Sequence, residues 1–175
     1  DRMARIEDND NSSRTDVYVA VDGDRTRQIY VYYRDFNGLY TIENRDNPNA
    51  FWQGDYAWVH FTFVPPGNQP FAGKGVYLYG EMVNFEQNDN SKMEFNAEKG
   101  VYEKVLFLKQ GYYNYSYVTL TDRKEEGVVP SLENTEGNYW GTENSYMVMV
   151  YFRPFGARAD ELVGFAKVNS AFPRQ

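Results

Sequence analysis

The chain has 175 residues, 42% of them hydrophobic and 18% aromatic, and a formal net charge of −7. It contains no cysteine, which excludes disulfides, thiolate metal sites and thiol nucleophiles together. The acidic balance opposes nucleic acid and anionic membrane surfaces as partners, because phosphate binding requires clustered Lys and Arg, and no apolar run approaches the ~20 residues of a membrane-inserted helix.

Residues 1–15 are polar around Asp8-Asn9-Asp10-Asn11-Ser12-Ser13 and are expected to form a mobile arm or a long turn. Asp16 to Val21 alternates as a strand, and Asp22-Gly23-Asp24 then turns the chain. Ile29 to Tyr33 reads as a second strand, and Asn37-Gly38 is a hairpin signal leading into Leu39 to Ile42. Arg45 to Gly54 reads as a loop carrying Phe51 and Trp52. Tyr56 to Val64 is a long strand, and Pro65-Pro66-Gly67-Asn68-Gln69-Pro70 breaks any ladder because proline supplies no N–H. That break is the expected linker between residues 1–66 and 67–175.

The second part repeats the strand logic from Val76 to Val118. Met93 to Phe95 is expected as a short edge strand, and Gly100 and Gly111 bracket an apolar run of strand length. Tyr113, Tyr115 and Tyr117 recur at a spacing of two, which places three rings on one face of an extended strand in a meander. Thr121 to Glu143 is a long polar connection with Tyr139 and Trp140 at an aromatic tip. Ser145 to Phe152 reads as a buried strand and Leu162 to Val168 as a strand that pairs at an edge. No window sustains the i, i+3, i+4 apolar spacing of a helix, and aromatic enrichment suits pleated, half-buried surfaces. The class is all-β.

The residue inventory argues against chemistry. The one histidine, His60, falls inside an alternating strand and reads as structural, and no Gly-x-Ser-x-Gly elbow is present. The 25 acids single out no catalytic pair. The Asp8-Asn9-Asp10 run fails as a calcium loop, since Ser13 stands where the turn glycine belongs and Val19 where the bidentate Glu belongs. No metal, cofactor or catalytic residue is expected. Asn11-Ser12-Ser13 and Asn114-Tyr115-Ser116 match the short glycosylation pattern. Phe51, Trp52, Trp58, Tyr139 and Trp140 are large aromatics in or near loops, the residue types that anchor protein interfaces when exposed. Of these, Phe51, Trp52, Tyr139 and Trp140 are the partner-binding candidates.

Two resemblances bear on these motifs. Val76-Tyr77-Leu78-Tyr79-Gly80 with Asn84-Phe85, then Gly100-Val101-Tyr102 and Gly111 to Val118, resemble the segments of glycogen-binding and related early-set immunoglobulin-like modules. That likeness implies carbohydrate binding at Phe85 and Tyr102, with aromatic rings in place of the usual tryptophans. The sequence also resembles the type IX secretion system plug protein family. The run from Leu108 to Tyr115, the Asn144 to Tyr146 strand entry and the Arg153 to Gly164 close carry that likeness, with Asn37 to Ile42 and Asp55 to Phe61 upstream. This second resemblance spans about Val17 to Gly164. It implies a mature or shortened form of an exported protein, periplasmic or associated with the outer membrane, with an outer-membrane translocon as partner. The expectation is therefore a non-enzymatic, protein-binding protein: an immunoglobulin-like early-set β-sandwich over residues 67–175, preceded by a smaller β-strand unit over 1–66. A glycan-binding module is the alternative.

Overall fold

A computed structural model describes residues 2–9, 14–28, 36–44, 49–122, 128–137 and 144–170. The chain divides into two compact units, the larger within residues 1–138 and the smaller containing the described residues 144–170.

The larger unit is a β-sandwich. Its first layer has six strands. At its centre β5 (Tyr56–Val64) pairs antiparallel with β8 (Val101–Lys109), from Tyr56 opposite Lys109 to Phe63 opposite Tyr102. The short strand β7 (Glu94–Asn96) closes the edge beyond β8, as expected. On the other side β2 (Arg14–Val19) and then β3 (Asp22–Gly23) run parallel to β5, and β1 (Met3–Asn9) pairs with β2. Within the expected N-terminal arm, Met3–Asn9 is thus a strand. Its polar sequence suits an edge position, and the pairing, not intrinsic propensity, orders it.

The second layer is β6 (Lys74–Tyr79) antiparallel to β10 (Ser116–Thr121), widened by bridges from Tyr77 to Lys92 and from Thr119 to Ser131. The inward residues of both layers form one core: Phe61, Phe63 and Leu106 meet Val76, Leu78 and Tyr117. Each such fully buried side chain stabilises the fold by about 1.5–3 kcal/mol.

Three expectations are corrected here. Val76 to Val118 is not a meander, because β8 lies in the first layer and β10 pairs with β6 in the second. Pro65 to Pro70 is not a linker: Pro65 to Asn68 forms a tight turn, with Gly67 at φ 65° and the Asn68 N–H donating to the Pro65 carbonyl at 3.1 Å, and the β5–β8 ladder joins residues on both sides of the 66/67 boundary. The tyrosine run is not one strand. β9 (Tyr112–Tyr113) pairs with β4 (Tyr40–Thr41), whereas β10 begins at Ser116, so the chain leaves the ladder at Asn114 and Tyr115.

In the smaller unit β11 (Ser145–Phe152) and β12 (Glu161–Asn169) form an antiparallel hairpin, with Arg153 Nε 2.7 Å from Asp160 Oδ1 beside the turn. Both strands fall where expected, their pairing with one another is new, and the burial expected of the first is not found. Tyr146 through Phe152 are exposed along both faces, and among the described residues of this unit no further strand covers them.

Candidate functional site

On β5 the residues between the core positions point to the outer side of the first layer. Tyr56, Trp58 and His60 therefore share that face with their cross-strand partners Lys109, Phe107 and Val105 on β8. The ring of Phe107 stacks on Tyr56 at 5.1 Å and contacts Trp58 at 5.0 Å. Parallel pairing with β2 sets Asp16 beside Trp58 and Tyr18 beside His60. The His60 ring stacks on Tyr18 at 4.3 Å, and its Nε2 lies 2.6 Å from Asp16 Oδ1. Arg14 donates two hydrogen bonds of 2.7 Å to the Asp16 carboxylate. That fork, and then His60, holds the Asp16 carboxyl at about 2, below the ordinary carboxylate range. His60 is thus a strand residue oriented by Asp16, as its place in the alternation suggested.

Cations sit on the rings of this face: Arg5 at 4.1 Å from the Tyr18 centroid, Arg14 at 5.0 Å from Trp58 and Lys109 at 4.6 Å from Tyr56. The ladder is an alternation of aromatic rings and cations, a surface suited to stacking and ion pairing.

At one end the ladder runs into a groove of about 610 Å³ that lies wholly within the larger unit. Tyr56, Phe107 and Lys109 form one wall, Tyr40 and Tyr113 another, and Phe51 with Trp52 the rim. Each wall has a local cause. Tyr40 and Tyr113 face one another across the β4–β9 ladder and stack at 5.3 Å. That ladder approaches so closely at Gly111 that a Cβ there would stand 2.5 Å from the Thr41 carbonyl oxygen. Tyr113 is half-buried and donates its hydroxyl proton to the Lys109 carbonyl at 2.6 Å, and burial pushes its phenol up to about 12. Glu81 anchors the far side by accepting the Tyr40 N–H at 3.0 Å.

The segment expected as a loop around Phe51 and Trp52 is a one-turn helix, α1 (Ala50–Gln53), ended at Gly54, whose N–H donates to the Ala50 carbonyl at 3.0 Å. It is too short for a helical period to register in the sequence. Trp52 is 78% exposed and Phe51 65% exposed, their rings in edge contact at 5.5 Å. The two remaining interface candidates, Tyr139 and Trp140, lie outside the described residues.

The candidate glycan platform is not assembled. Tyr102 is only 4% exposed, packed between Phe71 and Phe95, and its hydroxyl accepts the Phe71 N–H at 2.9 Å. It is a core residue of β8, facing inward beside Phe63. Phe85 is partly exposed and stands edge-on to Tyr79. The Asn114 carboxamide oxygen, part of one glycosylation pattern, accepts the Phe36 N–H.

A second cluster ties the two layers together. Tyr117 donates its hydroxyl proton to Asp22 Oδ2 at 2.8 Å, Tyr115 donates to the same oxygen at 3.1 Å, and Arg2 pairs with Oδ1. Burial, first of all, raises both phenols well above the usual tyrosine range. Asp22 was expected in a turn. It faces inward because β2 pairs Tyr18 with His60 whereas β3 pairs Asp22 with Phe63, so one extra residue on this edge reverses the phase.

Among the described residues no group of three or more His, Cys, Asp or Glu is placed to hold a metal ion, and no helix is long and apolar enough to cross a membrane.

No family model matches the chain, and no curated protein matches it. Among solved structures, the crystal structure of a hypothetical protein from Parabacteroides merdae ATCC 43184 at 2.30 Å resolution is similar over 97% of this chain, with 34% sequence identity and a TM-score of 0.87. The chain spans 41% of the length of that protein.

Proposed function

We propose that this chain is a non-enzymatic, protein-binding β module whose sandwich is of the early-set immunoglobulin-like kind. In this reading it is an interaction subunit of the type IX secretion plug family, periplasmic or associated with the outer membrane, which closes the inner mouth of a protein-conducting translocon by contact alone. The observation that carries the reading is the continuous exposed aromatic surface from Trp58 through Phe107 and Tyr56 to Trp52. Rings of this kind supply most of the binding energy of protein interfaces when a partner excludes water from them. The paired strands β5 and β8 beneath fix the backbone positions from which these rings project.

The test is co-purification from detergent-extracted outer membranes of cells that possess the secretion system. The module brings the translocon with it, and a Trp52→Ala, Phe107→Ala double variant does not. A folded wild-type chain that never associates with a translocon overturns the reading.

A further inference from the structure

Resting on the protein-binding reading, we propose that the groove between Tyr40, Tyr56, Phe107 and Trp52 receives a single extended segment of the partner that carries an Arg or Lys between apolar residues. The area sets the size of the occupant. Four rings that each bury roughly 150–250 Å² when fully covered, and are already part-covered here, fall short of the ~800 Å² per partner of a standard interface. The groove therefore matches one segment and not a whole second copy of the chain.

Its chemistry sets the charge of that segment. Aromatic faces carry negative potential and attract cations, and this face already uses that attraction three times, with Arg5, Arg14 and Lys109 each placed over a ring. Lys109 is the informative one. Its ammonium lies 4.6 Å from the Tyr56 centroid inside the groove, so the chain's own cation fills a position that a partner's cation would fill. Glu81, whose carboxylate accepts the Tyr40 N–H, lines the same groove. The net charge of −7 draws a basic segment toward the chain in long-range approach. A guanidinium suits the site best, since it is planar, weakly hydrated and stacks on aromatic rings. On entry it displaces Lys109 from Tyr56 and pairs with Glu81, while apolar neighbours on the segment cover Phe51 and Trp52.

The experiment uses the whole chain and nine-residue acetylated, amidated peptides of alternating Val and Thr with one central Arg, citrulline or Glu, with affinity read by isothermal titration and backbone amide shifts. The Arg peptide binds saturably and shifts the amides of residues 50–56 and 107–113, while citrulline weakens it about fivefold or more. Trp52→Ala weakens binding about tenfold, Glu81→Gln weakens it several-fold, and Lys109→Met strengthens it about two- to fivefold by removing the internal competitor. Gln at position 81 retains an acceptor for the Tyr40 N–H, so the groove wall is preserved. Preference for the Glu peptide, weakening by Lys109→Met, or amide shifts elsewhere in the chain overturns the proposal. So does binding of a neutral polysaccharide that Trp52→Ala abolishes while the Arg peptide fails to bind. Peptide results and translocon co-purification fail separately. Co-purification without Arg selectivity sinks this inference alone, and Arg-selective binding without co-purification sinks the secretion reading alone.

Discussion

Replacement of Asp22 tests the joint between the two layers. Its carboxylate is nearly buried and receives two phenolic hydroxyls, from Tyr117 of the second layer at 2.8 Å and from Tyr115, just before that strand, at 3.1 Å. A hydrogen bond to a charged group contributes about 1.5–3 kcal/mol, and a donor left buried without an acceptor costs about 1–3 kcal/mol. Tyr117 is 2% exposed, so its hydroxyl has no recourse to water when the acceptor is removed. Tyr115 is less buried and recovers part of its loss. Arg2 is half-exposed and pairs in screening solvent, so it adds less than about 1 kcal/mol. Asp22→Ala is therefore expected to cost about 3–5 kcal/mol, Tyr117→Phe about 1.5–3 and Tyr115→Phe about 1. Urea denaturation followed by circular dichroism measures each, and the Asp22→Asn, Tyr117→Phe cycle isolates the pair with an expected coupling near ~1–2 kcal/mol. Loss of less than 1 kcal/mol in Asp22→Ala, or zero coupling in the cycle, refutes the argument that this carboxylate binds the layers together.

Other consequences are equally accessible. Gly111→Ala brings a Cβ to 2.5 Å from the Thr41 carbonyl, so the β4–β9 approach must open; thermal unfolding should show a loss of about 2 kcal/mol or more, with broadened amides at residues 40–41. Leu78→Ala empties a fully buried core position and should cost about 2–5 kcal/mol in the same urea assay. The Tyr113 phenol, pushed to about 12 in the fold, favours the folded state fully below its ordinary value near 10. That contribution falls away as pH rises through about 12, so alkaline unfolding should begin in this window and move to lower pH in Gly111→Ala, as followed by phenolate absorbance. At the acid end the depressed Asp16 carboxyl contributes stability above its ordinary value. That contribution is lost as pH falls through about 2, and Arg14→Gln should flatten the acid limb of a stability–pH curve.

The parts of this fold legible in the sequence are those that period-two patterning can report. β5, β6, β8 and the edge strand β7 fall where alternation and bracketing glycines put them, and β11 and β12 fall on the two runs either side of a Pro- and Gly-containing turn. Alternation names strands but not their partners, so the placement of β8 and β10 in separate layers was hidden. The inward turn of Asp22 depends on one extra residue opposite β5, which no local pattern reports. Tyr115 and Tyr117 do converge on one group, whereas Tyr113 leaves them because the chain bends at Asn114 to reach β4.

Of the site, Phe51 and Trp52 were visible as aromatics beside a proline- and glycine-flanked segment. Their partners Tyr40, Tyr56, Phe107 and Tyr113 come from three further stretches that only the folded ladders bring together. One signal was available. The run Tyr56-Ala57-Trp58-Val59-His60-Phe61 is apolar or aromatic on both faces, which marks a strand with a surface of its own beyond the core. Tyr102 misled in the opposite direction, because the motif that suggested a sugar platform places its ring in the core.

Hydroxyl-radical footprinting of the chain alone and with a solubilised outer-membrane translocon addresses the contact surface directly. Protection confined to Phe51, Trp52, Tyr56 and Phe107, with Phe85 unchanged, is the expected pattern. Undiminished oxidation of those four rings in a verified complex, or protection centred elsewhere, contradicts the assignment of this surface.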